Sequence, residues 1–102
     1  MQQLIEKHKK ELIDISKTLE INKLYIFGSA TSDDFNDDSD IDFLISFADN
    51  LSVDEYTDNY FKLQYKLREL FNRDIDIVTE RTLSNPFFIE SINESKQLIY
   101  EA

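Results

Sequence analysis

Leu4, Ile5, Leu12, Ile13 and Leu19, set among lysines and glutamates, recur at the spacing of one helical face and predict an amphipathic first helix over 4–19, ending near Asn22. The continuous apolar run Leu24-Tyr25-Ile26-Phe27 is then stopped by Gly28, the pattern of a short buried strand that delivers a turn. From 31 to 39 the chain is polar and acidic and predicts a loop, because Asp33, Asp34, Asp37 and Asp38 have no means of burying themselves. A second strand is predicted over Ile41–Phe47. Val53, Tyr56, Tyr60, Leu63, Leu67 and Leu70 step by three and four, which predicts a helix over 53–70. Asp54 and Glu55 lie in its first turn and Arg68 near its end, where the helix dipole favours each sign. Ile75–Thr79 reads as a third strand, Asn85-Pro86 as a break, and Phe88, Ile89 and Ile92 as the apolar side of a short final helix.

This order predicts an α/β or α+β fold with a small mixed β-sheet flanked by helices. The helix between the second and third strands is a crossover that permits them to run parallel. The pattern leaves the strand order open. At 102 residues the chain has room for a single domain, taken as 1–102.

Charge and composition narrow the chemistry. Eleven basic against 21 acidic residues give a net charge of −10, which repels polyanions and makes direct nucleic-acid binding an unfavourable role. There is no cysteine and a single histidine, His8, to which no role is assigned, so any metal would be a hard cation on oxygen ligands. No apolar run approaches the ~20 residues of a membrane span, and the charged start MQQLIEKHKK lacks a signal peptide's apolar core. A cytoplasmic protein is expected. No P-loop pattern is present.

Asp40 and Asp42 stand two apart at the opening of the second strand, so both carboxylates face one way while Ile41 and Phe43 face the other. Two anions this close disfavour each other's charge unless a cation joins them. With no Lys or Arg adjacent in sequence, a divalent ion is the natural partner. Asp76 repeats the theme between Ile75 and Ile77, where an apolar strand was expected. If the two strands are neighbours, Asp76 reaches the same site, and three carboxylates suffice for two magnesium ions. Asp74 has the same strand parity and competes with Asp76 as the third carboxylate, although only Asp76 is apolar-flanked on both sides. Gly28, the chain's one glycine, lets backbone approach a phosphate, and Ser29 adds a hydroxyl and an amide. Together these residues predict a nucleoside-triphosphate site.

The arrangement Gly28-Ser29, ten residues, then Asp40-Ile41-Asp42, with Asp76 in a later strand, resembles the minimal nucleotidyltransferase (MNT) family of the polymerase-beta-like superfamily. The resemblance covers nearly the whole chain. It implies the nucleotidyltransferase fold, nucleotide binding at Gly28 and Ser29, and catalysis and metal binding at Asp40, Asp42 and Asp76, with Asp76 helping to deprotonate the acceptor. Small members of this kind are antitoxins that transfer AMP from ATP to a tyrosine of a HEPN-domain ribonuclease toxin. The implied activity is therefore protein adenylyltransferase, with Mg2+ and ATP. One departure stands out: the family often places Arg and Gly shortly after the serine, where this chain has Ser32 and Asp33. Arg73 and Arg81 are the candidate replacements for the basic phosphate contact. Two rival readings follow, an antitoxin that works by binding alone and an adenylyltransferase acting on a cationic, aminoglycoside-like small molecule.

Overall fold

The computed structural model describes residues 3–102. In chain order the elements are α1 (Gln3–Lys7), α2 (Lys9–Thr18), β1 (Ile21–Phe27), a 3-10 turn (Gly28–Thr31), β2 (Ile41–Phe47), α3 (Val53–Phe71), β3 (Ile75–Thr79), a second 3-10 turn (Glu80–Thr82), α4 (Pro86–Ser95) and β4 (Gln97–Glu101). The strands form one sheet in the order β3-β2-β1-β4. β1 runs antiparallel to β2 and β4, and β2 runs parallel to β3, as the α3 crossover allows.

The predicted strands over Ile41–Phe47 and Ile75–Thr79 are observed with those bounds. The 53–70 helix extends by one residue. Ser52 and Glu55 close a capping box at its start, and Asn72, at φ 52°, ends it in the left-handed conformation that asparagine tolerates. Val53, included in the predicted apolar face, is 82% exposed because it occupies the first helical position, before the face turns inward; Leu63, Leu67 and Phe71 carry the buried contact. Asn85 is an N-cap whose side chain accepts from the Phe87 and Phe88 amides, and Pro86 sits inside the first turn of α4. The predicted break is thus a helix start.

Four departures from the expected elements are seen. The first helix is two, interrupted at His8, whose amide donates to the Ile5 carbonyl three residues back and whose ring packs edge-on to Phe71. That helix stops at Thr18, not near Asn22: Glu20 takes a left-handed φ of 58° and turns the chain into β1 at Ile21. The early part of β1 was concealed by a register shift between Ile21 and Lys23, which puts Ile21, Leu24 and Ile26 in one core at spacings of three and then two. β4 was not predicted. It is a short edge strand in which only Ile99 is buried, and it carries a second register shift opposite Leu24 and Tyr25.

The two faces of the sheet are unequal. Ile41, Phe43, Ile45, Ile75 and Ile77 join Ile21, Leu24 and Ile26 in the main core, closed by Ile5 and Leu12 from the first two helices and Leu63, Leu67 and Phe71 from α3. The opposite face has only a small apolar cluster, Phe27, Leu44 and the Ile92 of α4, with Tyr25, Val78 and Leu83 at its margin. Asp42 and Asp76 alternate onto that less covered face.

Leu67 is fully buried and Phe61, on the same helix, is 62% exposed. Leu67→Ala is expected to lower unfolding free energy by ~2–5 kcal/mol. Phe61→Ala is expected to stay within ~0.5 kcal/mol of wild type. Urea denaturation followed by circular dichroism checks both.

Candidate active site

The parallel register pairs Asp42 with Asp76 directly, and the antiparallel register pairs Asp42 with Phe27, the last residue of β1. Asp42 therefore sits between the third carboxylate on one side and the Gly28 turn on the other. Asp40 immediately precedes β2 and is exposed. Burial, with the nearby charges of Asp76 and then Asp40, pushes the Asp42 carboxyl up to about 6. Asp76, not Asp74, is the β3 carboxylate that acts on Asp42. Asp74 lies one residue before β3 and uses its carbonyl to accept from the Ile41 amide, at 3.2 Å.

The apolar neighbours of Asp76 suggest a buried carboxylate, and the structure shows otherwise. β3 alternates buried and accessible positions, and Asp76 is exposed, so no buried-charge cost attaches to it. Its place is explained by the open sheet face, and its interest by its register with Asp42.

Gly28 adopts φ +68°, a conformation costly to a side-chain-bearing residue. A Cβ built there would lie 2.7 Å from Asp42 Oδ2. The close approach that glycine permits is therefore first to the Asp42 carboxylate. The turn that follows is held by its own hydroxyls: Thr31 Oγ1 donates to the Gly28 carbonyl at 2.8 Å and Ser32 Oγ to the Ser29 carbonyl at 3.1 Å. Ser29 Oγ donates to the Asp40 carbonyl at 3.4 Å, tying the turn to the start of β2. The Gly28 amide donates to Ser95 Oγ at 3.1 Å. Ser95 was not singled out from sequence, and a contact spanning 67 positions leaves no local signal that would have found it. The five predicted residues, Gly28, Ser29, Asp40, Asp42 and Asp76, thus meet around one end of β2.

Both candidate arginines make their observed contacts elsewhere. Arg73 donates to the Asn36 and Ser39 carbonyls at 3.0 and 2.9 Å and lies over the Phe35 ring, bracing the acidic loop. Arg81 stacks on Tyr56 in a cavity of about 490 Å3 at the opposite ends of β2 and β3, which shares no residue with the carboxylate site.

The donor set suits a hard cation: carboxylate oxygens, with no nitrogen or sulfur ligand among the five residues. Among the described residues no three His, Cys, Asp or Glu side chains close into a preformed metal cluster. The fit is therefore to an ion that takes one or two carboxylates and fills its shell with water and phosphate oxygens, as magnesium does. The Asp42 carboxyl is raised first by burial and then by the charges of Asp76 and Asp40, and a cation bound between the carboxylates would offset the charge part.

The chain belongs to the nucleotidyltransferase domain family, whose family model matches residues 5–99. It is 31% identical over 100 residues to a Methanocaldococcus jannaschii chain provisionally named a protein adenylyltransferase, covering 98% of this chain and 93% of that one. A second chain from that organism, with the same provisional name, is 29% identical over equal coverage. Among solved structures, one described as a provisional minimal nucleotidyltransferase superposes with a TM-score of 0.72 at 21% identity, covering 94% of this chain and 95% of that chain. A chain from a toxin–antitoxin structure with AMP-PNP gives 0.71 at 21% identity, covering 92% and 73%. One from a tri-AMPylated Shewanella oneidensis HEPN toxin in complex with its MNT antitoxin gives 0.66 at 19%, covering 95% and 72%. These structures share the fold. No helix among the described residues is long and apolar enough to cross a membrane.

Two outcomes test this geometry. Because the Asp42 pKa is raised on folding from 3.8 to about 6, its contribution to stability is fully present below pH ~3.8 and is lost as pH rises through about 6. In metal-free buffer the wild-type melting temperature should fall relative to that of Asp42→Asn between pH 4 and 7, and parallel curves would contradict the assignment. Gly28→Ala should cost ~1–2 kcal/mol from the left-handed backbone. It should also swing the Asp42 carboxylate aside, so nucleotide affinity should fall further than that loss of stability alone would suggest. Calorimetric titration beside thermal melts checks this.

Proposed function

We propose that this chain is a magnesium-dependent protein adenylyltransferase acting as an antitoxin, transferring AMP from ATP to a tyrosine of a HEPN-domain toxin. The observation that carries the reading is the side-by-side register of Asp42 and Asp76, with Asp40 one step away and the Gly28 turn against Asp42. Family membership supports nucleotidyl transfer, and the names of the relatives and fold neighbours support a protein acceptor and a HEPN partner. The whole of 1–102 is read as one catalytic domain working in the cytoplasm, without direct contact to nucleic acid or membrane.

In this reading Gly28 and Ser29 position the triphosphate at the end of β2. Asp40, Asp42 and Asp76 would hold up to two magnesium ions, which when bound neutralise charge on the triphosphate. The exposed Asp76 carboxylate accepts the phenolic proton. The tyrosine oxygen bonds to the α-phosphorus as the bond to the pyrophosphate oxygen breaks, leaving AMP on the toxin and releasing pyrophosphate. Water exclusion is left to the docked partner, because this sheet face is open.

A second reading is favoured by one specific observation. Arg73 is committed to loop carbonyls and Ser32 and Asp33 stand where the family often has Arg and Gly, so the site is poor in phosphate-binding cations. An antitoxin that neutralises its partner by binding alone would tolerate that.

Incubation of a cognate HEPN-domain protein with this chain, ATP and magnesium should yield a partner whose intact mass rises by whole AMP increments. With the Asp40→Asn, Asp42→Asn double variant the increments should vanish while co-purification persists. A partner that stays unmodified yet bound would replace the enzymatic reading with the binding one.

A further inference from the structure

The Gly28 turn is held from outside by a residue at the far end of the chain. Ser95 closes α4, and its Oγ accepts the Gly28 amide proton at 3.1 Å while lying 3.4 Å from the Ser91 carbonyl, to which it donates. The hydroxyl thus faces a backbone donor on one side and a backbone acceptor on the other. β4 begins two residues later and pairs with β1, so the strand leading into Gly28 and the residue bonded to Gly28 are anchored together. α4 is fixed in turn by Ile92 in the small cluster with Phe27 and Leu44, and by Phe88 edge-on to Phe27.

Two consequences follow. The Gly28 amide, the donor nearest the end of β1, is already engaged and is not a free phosphate ligand. The left-handed φ of +68° that lets Asp42 Oδ2 lie against Gly28 is held by a bond that α4 supplies. A turn without that bond has fewer constraints on this uncommon conformation, because glycine itself prefers no single sign of φ.

We propose that Ser95 is a positioning residue for nucleotide binding: it acts through Gly28, holding the turn and the Asp42 carboxylate in the arrangement that receives the triphosphate. This rests on the nucleotidyltransferase reading of the Gly28–Ser29 turn, and it assigns to the end of α4 a role separate from its packing.

Gly28 is the chain's one glycine, so selective 15N-glycine labelling gives a single amide resonance that reports directly on the bond. In wild type that amide should be protected from hydrogen exchange. Ser95→Ala should abolish the protection and weaken AMP-PNP binding in magnesium buffer by about fivefold, the scale of one hydrogen bond's net worth. Ser95→Thr, which keeps the hydroxyl, should restore both. An unprotected Gly28 amide in wild type overturns the proposal without any variant. So does Ser95→Ala that melts lower but binds AMP-PNP at wild-type strength, since that is the behaviour of a merely structural bond. Wild-type chain that binds no AMP-PNP would instead remove the nucleotide reading on which the proposal rests, whatever the amide shows.

Discussion

The pairing of β2 with β3 sets Asp42 beside Asp76, and everything distinctive about the site depends on that register. Two carboxylates on adjacent strands of one sheet face repel, and the raised Asp42 carboxyl records part of the penalty. The register is nevertheless enforced from the other face. Ile41, Phe43 and Ile45 of β2 oppose Ile75, Ile77 and Thr79 of β3, and a slip of one residue would turn those apolar side chains toward solvent. Hydrophobic burial on one side of the sheet thus holds an electrostatically unfavourable pair on the other.

The inequality of the two faces is what makes the pair usable. Three helices close the main core, whereas α4 covers only the part of the second face around Phe27 and Leu44. Fuller coverage would have buried two unpaired carboxylates at a cost of several kcal/mol. With Asp76 exposed and Asp42 half-buried, the site stays accessible to a cation and a phosphate while keeping enough desolvation to strengthen their attraction.

How much of this was legible in the sequence varied with the range of the interaction. β2, α3 and β3 were readable because their signals are local: continuous or regularly stepped apolar residues, acidic residues at a helix start, and a crossover helix between two strands. The carboxylate pair and the glycine turn were readable from spacing. What escaped lies where one strand answers to another. The displaced start of β1 and the whole of β4 each involve a register shift that breaks the period of two, and an edge strand needs only one buried residue, Ile99, to be held. Asp76 was noticed for the wrong physical reason, since the sequence showed its apolar neighbours but not that its own side of β3 is open. The Ser95 bond to Gly28 depends wholly on α4 and β4 folding back onto β1.

The electrostatics of the chain and of the site point the same way. A net charge of −10, a turn followed by Asp33 and Asp34, and two arginines engaged elsewhere would leave a triphosphate facing a negative field. Hydrogen-bond donors alone offset little of that repulsion in water-exposed surroundings. Divalent ions would supply one compensation, at the carboxylates. A basic partner surface would supply another at the rim, and would be drawn by the same negative potential that opposes the free nucleotide. An acidic enzyme built this way would have its nucleotide affinity coupled to partner binding, because each positive charge brought to the rim stabilises the triphosphate and each bound triphosphate adds attraction for the positive charge. That coupling is reciprocal by thermodynamic necessity. It would favour modification within the complex over futile turnover of ATP by the chain alone.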